Sequence, residues 1–369
     1  MNESGYLRGA AEAHATAADA RRVVASHAAG PWIERAVGGL DPGYFAVVMA
    51  TGIVSNAFFL EGYRPLSDAL FAVNLAAYPW LWFLTVWRAV RFRRAMATDL
   101  LDPGRVFLFF TTVAATDVFA MSIGLRGFAG AALALWLVAL ALWLALIYFG
   151  FAVLLFHNHE ARADVIGGAW LNAIVGTQSL VIVGGALALP AAHVDRQFFI
   201  VLPMLWAVGL ALYGILIVLM CQRFFFTAVS PDDVAPPLWV VMGAAAISVN
   251  AGLILLADSG ATPFIASLQP FVGGTTLAVW AWATWWIPLL LLLGVWKHGV
   301  HRRPLDYSPL LWSMVFPLGM YAAATLRLSR FAAVPALAIW SSAMAWTALA
   351  AWCTTAAGLV FYTWRSARS

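Results

Sequence analysis

Residues 43–88 read GYFAVVMATGIVSNAFFLEGYRPLSDALFAVNLAAYPWLWFLTVWR, and they set two kinds of apolar segment side by side. The first, up to Glu61, is made largely of small residues with Thr51, Ser55 and the amide Asn56. The second, ending near Arg88, carries Trp80, Trp82 and Trp87. Small and polar side chains suit close helix packing or a wet lumen, whereas bulky apolar ones suit lipid. The unit predicted is an inner helix followed by an outer one.

That unit recurs five times. Apolar stretches run at roughly 43–61, 67–88, 106–125, 131–156, 167–189, 197–222, 237–257, 271–296, 308–326 and 334–363, each near the ~20 residues that cross a bilayer. Of the 19 Trp, 15 fall in the even stretches, and only Trp170, Trp239 and Trp312 fall in the odd ones. The amides and acids away from the stretch ends show the opposite bias: Asn56, Asp117, Asn172, Gln178 and Asn250 are in odd stretches, with Asn74 the clear even exception. The expectation is an all-α integral membrane protein of ten helices, the odd ones around a conduit and the even ones outside.

A chain 63% hydrophobic and 10% charged excludes a soluble domain. Sixteen of the 21 basic residues fall on one side if the N-terminus is cytoplasmic, leaving Arg64, Arg126, Arg196, Arg327 and Arg330 outside. Both termini are therefore expected in the cytoplasm and the protein in a bacterial-type inner membrane. Inside loops account for the basic excess, and no nucleic-acid partner is expected. The expected domains are a tail over 1–42, a membrane domain over 43–364 and a tail over 365–369. The N-terminal tail lacks a signal-peptide core, and Pro31 to Leu40 reads as a short surface helix. Cys221 and Cys353 read as free thiols, with neither metal site nor cofactor implied.

Asp117 is the only ionisable residue near the middle of a span, and no mid-span Arg or Lys stands to pair with it. A carboxyl at that depth must be protonated, paired or wet. It is a candidate for proton coupling or charge control, against a neutral acid bonded to Asn172, Gln178 or a backbone carbonyl. Thr51, Thr112, Thr116, Asn172, Gln178 and Asn250 are candidate lumen lining. Such donors hold anions weakly, which suits a path that ions must also leave; Arg105 and Arg327, near span ends, would attract anions to the mouths. The run His157-Asn158-His159-Glu160 reads as a solvated loop, since residues two apart on a helix do not converge on a metal. Glycine pairs 167–168, 184–185 and 273–274 read as sites of tight helix approach. Without a nucleophile elbow, paired carboxylates or Walker sequence, neither an enzyme nor an ATP-driven pump is expected.

The first span opens Asp41-Pro42-Gly43-Tyr44-Phe45-Ala46-Val47-Val48-Met49-Ala50-Thr51-Gly52-Ile53. The ninth carries Ser313-Met314-Val315-Phe316-Pro317-Leu318-Gly319, where Pro317 removes a backbone donor and kinks the helix beside the Phe316 ring. Together these segments resemble the family of plant slow anion channels, yeast malate transporters, fungal sulfite pumps and bacterial tellurite-resistance proteins. The resemblance extends from about residue 41 to the C-terminus in span number, alternation and motif order. It implies five helical hairpins in a ring, odd helices around a central pore, and a homotrimer with one pore per protomer. It also implies a gate at Phe316 and Pro317. The implied substrates are chloride, nitrate, sulfite or C4-dicarboxylates such as malate. A proton-coupled C4-dicarboxylate or sulfite exporter using Asp117 is the alternative, and an intramembrane enzyme or sensor a more remote one.

Overall fold

The computed structural model describes residues 32–157, 167–188, 199–257 and 263–366. Ten helices long and apolar enough to cross a membrane lie among them, at the positions expected. They are α1 (Ala46–Glu61), α2 (Arg64–Arg91), α3 (Phe110–Gly124), α4 (Ala129–His157), α5 (Asn172–Val183), α6 (Val201–Phe226), α7 (Val240–Ala257), α8 (Gln269–Val295), α9 (Trp312–Ala332) and α10 (Pro335–Ser366). Short helices at Trp32–Gly38, Arg93–Leu101 and Pro263–Ser267 complete the described helical segments outside the spans. The first of these matches the helix expected between Pro31 and Leu40.

Burial separates the spans into two shells. In the odd spans 72–94% of the apolar core is buried, against 17–39% in the even ones. The odd helices touch in a closed cycle, α1 on α3, α3 on α5, α5 on α7, α7 on α9 and α9 back on α1. Each is also packed against the even helix that follows it. The five inner helices run parallel, because an outer helix returns the chain between each consecutive pair. The end at which they begin is termed proximal here, and the opposite end distal.

Each inner span opens with a tight 3-10 turn: Pro42–Phe45, Val106–Phe109, Gly168–Leu171, Pro236–Trp239 and Pro309–Leu311. A proline in the first two positions suits three of these, since its missing N–H is one that no helical carbonyl would accept. The five turns meet in the same cyclic order as the helices they begin, forming a collar at the proximal end. A Cβ at Gly168 would collide with the Pro237 carbonyl, so two of the turns touch backbone to backbone. Gly184 and Gly185 are similarly crowded, by Trp136, Leu202 and Ile254. Gly273 and Gly274 are not: nothing lies within 4 Å of a Cβ at either, so the tight approach expected there is absent. They sit on an outer helix with 17% of its span core buried, and a glycine facing lipid has no neighbour to approach.

The ninth span also differs from expectation. Its helix continues to Ala332 and takes Arg327 inside, where an end near 326 had been anticipated. An inner helix need not face lipid, so a charge does not end it.

Gly168→Val should lower the thermal unfolding midpoint of the solubilised protein sharply, by the ~1–3 kcal/mol or more of an overpacked core. Gly273→Val should leave it unchanged. Equal effects would contradict the packing described.

Candidate functional site

The polar side chains of the inner helices divide into two groups by the direction they face. One group is engaged by the outer shell. Trp352 Nε1 donates to Thr51 Oγ1 at 2.9 Å, Tyr78 OH to Thr116 Oγ1 at 3.0 Å, and Trp143 Nε1 to Thr177 Oγ1 at 2.8 Å. Trp206 Nε1 reaches the Ser248 carbonyl at 3.0 Å, and Trp280 Nε1 reaches Thr325 Oγ1 at 3.1 Å. Gln178 turns the same way, donating from Nε2 to the Trp206 carbonyl at 3.2 Å. Thr112 donates to the Phe109 carbonyl and lines a side pocket between the first opening turn, α2 and α3. Asn172 donates to the Ala169 carbonyl at the proximal end. Of the six candidate lining residues, Asn250 alone borders the cavity described next.

That cavity occupies the axis of the inner ring. Its wall takes Ile53, Asn56 and Leu60 from α1, and Asp117, Val118 and Met121 from α3, with Leu125 just beyond that helix. Ser179, Ile182 and Val183 come from α5, Ile247 and Asn250 from α7, and Met320, Ala323 and Arg327 from α9. On every helix positions three or four apart recur, the spacing of one helical face, with the neighbours Val118 and Val183 widening it on α3 and α5. Five faces, one from each inner helix, converge on a single space. Its volume of about 30 Å³ exceeds the ~10–15 Å³ that one water needs.

Four residues before the first member of each face stand Met49, Val113, Val175, Gly243 and Phe316. Phe316 therefore extends the α9 face Met320–Ala323–Arg327 by one turn, about 6 Å toward the proximal end. Its ring is buried, 1% exposed, as are Met49, Val113 and Val175 at three of the four equivalent positions. The fourth is Gly243, where a Cβ would press on the Pro317 ring. The small residue on α7 thus accommodates the proline that follows Phe316.

The polar groups of the cavity form levels. One turn distal of Phe316, Asp117 accepts from Ser179 Oγ at 2.7 Å through Oδ2, while its Oδ1 has no hydrogen-bond partner. Asp117 is fully buried. A further turn out lie the amides. Asn56 Oδ1 accepts from Ser122 Oγ at 2.8 Å; Asn250 holds Met320 Sδ at 3.5 Å and leaves its Oδ1 unpartnered. Last comes Arg327, whose Nε is buried without a partner. Sequence reasoning placed Arg327 at a mouth and missed Ser179. The spacing i, i+4, i+7, i+11 counted from Phe316 reaches Arg327 and is the signal that could have found it.

Arg105, the other arginine expected to attract anions, is engaged elsewhere. It pairs with Asp99 at 2.8 Å and Asp41 at 3.1 Å, and Asp99 also takes Arg88 at 2.6 Å. The chain Arg88–Asp99–Arg105–Asp41 ties the surface helix Arg93–Leu101 to α2 and to the first opening turn. At the distal end Arg126 holds Asp68 at 2.7 Å, and Arg330 donates to the Leu60 carbonyl. No group of three or more His, Cys, Asp or Glu side chains fit for a metal occurs among the described residues. His159 and Glu160 lie outside them.

Residues 39–360 match the SLAC1 family, whose sequence model is described as a voltage-dependent anion channel. An uncharacterized membrane protein of Mycobacterium tuberculosis is 40% identical over 139 residues, 37% of this chain and 69% of that protein. Two uncharacterized transporters of Methanocaldococcus jannaschii are 23% and 24% identical over 297 and 298 residues, 77% of this chain and 83% and 82% of theirs. The chain belongs to the SLAC1 family: it is a multi-pass membrane protein of a transporter and anion-channel family.

The two facing directions are separable by experiment. Thr51→Val should lower the unfolding midpoint by the ~0.5–1 kcal/mol of one interhelical hydrogen bond and leave anion flux in proteoliposomes unchanged. Asn250→Leu should reduce flux with little change in the midpoint. The reverse pattern would place Thr51 on the path instead.

Proposed function

We propose that the inner helices enclose a conductive path for small anions, closed in this conformation by the Phe316 ring. The observation that carries the reading is the convergence of five helix faces on one cavity, with the buried ring of Phe316 one helical turn before the first α9 residue that lines it. A buried aromatic ring on the axis, level with Met49, Val113 and Val175, offers an ion no replacement for its water shell. Such a constriction blocks by excluding water. Pro317 frees the helix next to the ring from one backbone hydrogen bond, and the space at Gly243 gives the proline somewhere to sit. A modest shift of α9 would then move the ring off the axis.

Distal of the plug the path offers one guanidinium, two amides, a hydroxyl and the Asp117 carboxyl. With that carboxyl protonated, one cation and neutral donors favour anions without gripping them. Chloride, nitrate and sulfite suit this sparse set, and a C4-dicarboxylate such as malate would need a second cation at its far end. The orientation proposed has both termini and the collar in the cytoplasm, with Arg327 opening outward, in a bacterial-type inner membrane. The assembly proposed is a homotrimer with one path per protomer, and the path itself is contained within one chain.

A second reading is a proton-coupled exporter of sulfite or a C4-dicarboxylate. The unpartnered Oδ1 of Asp117 on the cavity wall favours it, because a carboxyl there can exchange a proton with the lumen. Asp117→Asn separates the two readings. A coupled carrier loses its response to a pH gradient, whereas a channel keeps its current.

Phe316→Ala in proteoliposomes under an imposed voltage should raise anion flux ~10-fold or more, with anions still preferred over cations, as expected when a dewetted plug is removed. An unchanged flux would reduce Phe316 to a packing residue and favour the coupled carrier.

A further inference from the structure

The axial cavity holds two ionisable side chains, one of each sign, that do not touch. Arg327 and Asp117 border the same space, with Asn56 and Asn250 at the level between them. Each keeps a polar atom without a partner, Nε of Arg327 and Oδ1 of Asp117. Two buried opposite charges normally close on each other or gather hydrogen bonds, because an uncompensated charge in a poorly hydrated space is costly. Here the space between them is left open. We infer that the cavity is a binding site for one small inorganic anion and one proton together, the anion held by Arg327 and the amides and the proton carried on Asp117 Oδ1.

Charge balance gives the reason. With Asp117 ionised, the cavity is neutral overall and an anion would make it negative. With Asp117 protonated, Arg327 leaves a net positive charge that one anion neutralises. A protonated Oδ1 also becomes a donor, where an ionised one would repel the ligand. Asn250 can supply another donor. Exchanging its amide nitrogen and oxygen costs only the 3.5 Å contact to Met320 Sδ, a weak acceptor, and puts Nδ2 where the unpartnered Oδ1 now stands.

The surroundings leave no other group to take the proton. Against α3, α5 presents the neutral Ser179, and α1 presents only neutral side chains short of Glu61 at its distal end. α4 carries no ionisable side chain except Tyr148 and His157, both in its last third, and the opening turn Pro42–Phe45 brings Tyr44 behind Asp41. From α2, Tyr78 reaches the neighbouring Thr116 at 3.0 Å, while Asp68 and Arg88 are held in ion pairs near opposite ends of the helix. Across the cavity stands Arg327, with Arg330 one turn beyond.

This inference rests on the anion reading above and adds its regulation: anion occupancy rises as pH falls. The test uses equilibrium binding to the solubilised full-length protein, with no membrane and no flux. Sodium nitrate, compared with sodium gluconate, should raise the unfolding midpoint more at mildly acidic than at mildly alkaline pH. Its apparent affinity should fall by up to about tenfold per pH unit, the slope of a one-proton linkage. In weak buffer with an indicator dye, adding nitrate should draw protons from solution. Asp117→Asn should keep the nitrate response, make it independent of pH and abolish the proton uptake. Arg327→Gln should lose both, and Arg327→Lys, which retains the charge, should recover them in part. Nitrate binding in the wild type that ignores pH, or proton uptake that survives Asp117→Asn, would overturn the linkage. A flux experiment on Phe316 that fails while this linkage holds would overturn the conductive reading alone.

Discussion

Everything in this architecture depends on how the outer aromatic residues hold the inner ring. Each outer helix donates at least one hydrogen bond to the inner helix that follows it in the cycle. Tyr78 of α2 bonds α3, Trp136 and Trp143 of α4 bond α5, Trp206 and Tyr213 of α6 bond α7, Trp280 of α8 bonds α9, and Trp352 of α10 bonds α1. The connecting loop ties each outer helix to the inner helix before it, and the indole or phenol ties it to the one after. Every outer helix thereby bridges two inner ones. The last bridge joins residues 301 positions apart and closes the ring. In a lipid environment, where the hydrophobic effect does not drive helices together, such bonds and close packing must supply the cohesion.

The same bonds explain what the interior lacks. Threonines on the inner helices would seem natural lumen lining, yet Thr51, Thr116, Thr177 and Thr325 all accept from the outer shell. The lumen is left with few polar groups, and those few are incompletely satisfied: Oδ1 of Asp117, Oδ1 of Asn250 and Nε of Arg327. A buried polar atom without a partner is costly unless water or a ligand completes it. Three of the nine such atoms among the described residues belong to side chains that line this one cavity.

Much of the architecture was open to reading because lipid imposes a composition. Tryptophan segregates to helices that meet the bilayer and most mid-span amides to those that do not, so the two shells are visible in the sequence. Rotation about each inner helix was not. Those helices are buried on nearly all sides, so apolar side chains surround them and no polar face marks the lumen. Thr51 and Asn250 could not be told apart by pattern, and Gln178 faces α6 although its type suggested the path. Arg327 was hidden for a different reason: its charge ended the apolar stretch and removed it from the span it belongs to. The role of tryptophan was also only half visible. Trp136, Trp143 and Trp206 are buried donors and not lipid-facing surface.

The parallel run of the five inner helices has an electrostatic corollary. The outer helices run the other way and cancel the field of the inner ones at a distance, but immediately around the axis all five inner peptide dipoles point the same way. Each helix carries roughly half a positive charge at its beginning and half a negative charge at its end. The collar of 3-10 turns is thus the positive pole of a summed dipole, and the distal rim is the negative pole. Arg327 and Arg330 lie in the last turns of α9, and Arg64 and Arg126 stand at that same rim, where cations offset the negative pole. Backbone amides therefore gather at one end of the axis, and guanidinium groups offset the helix carbonyls at the other.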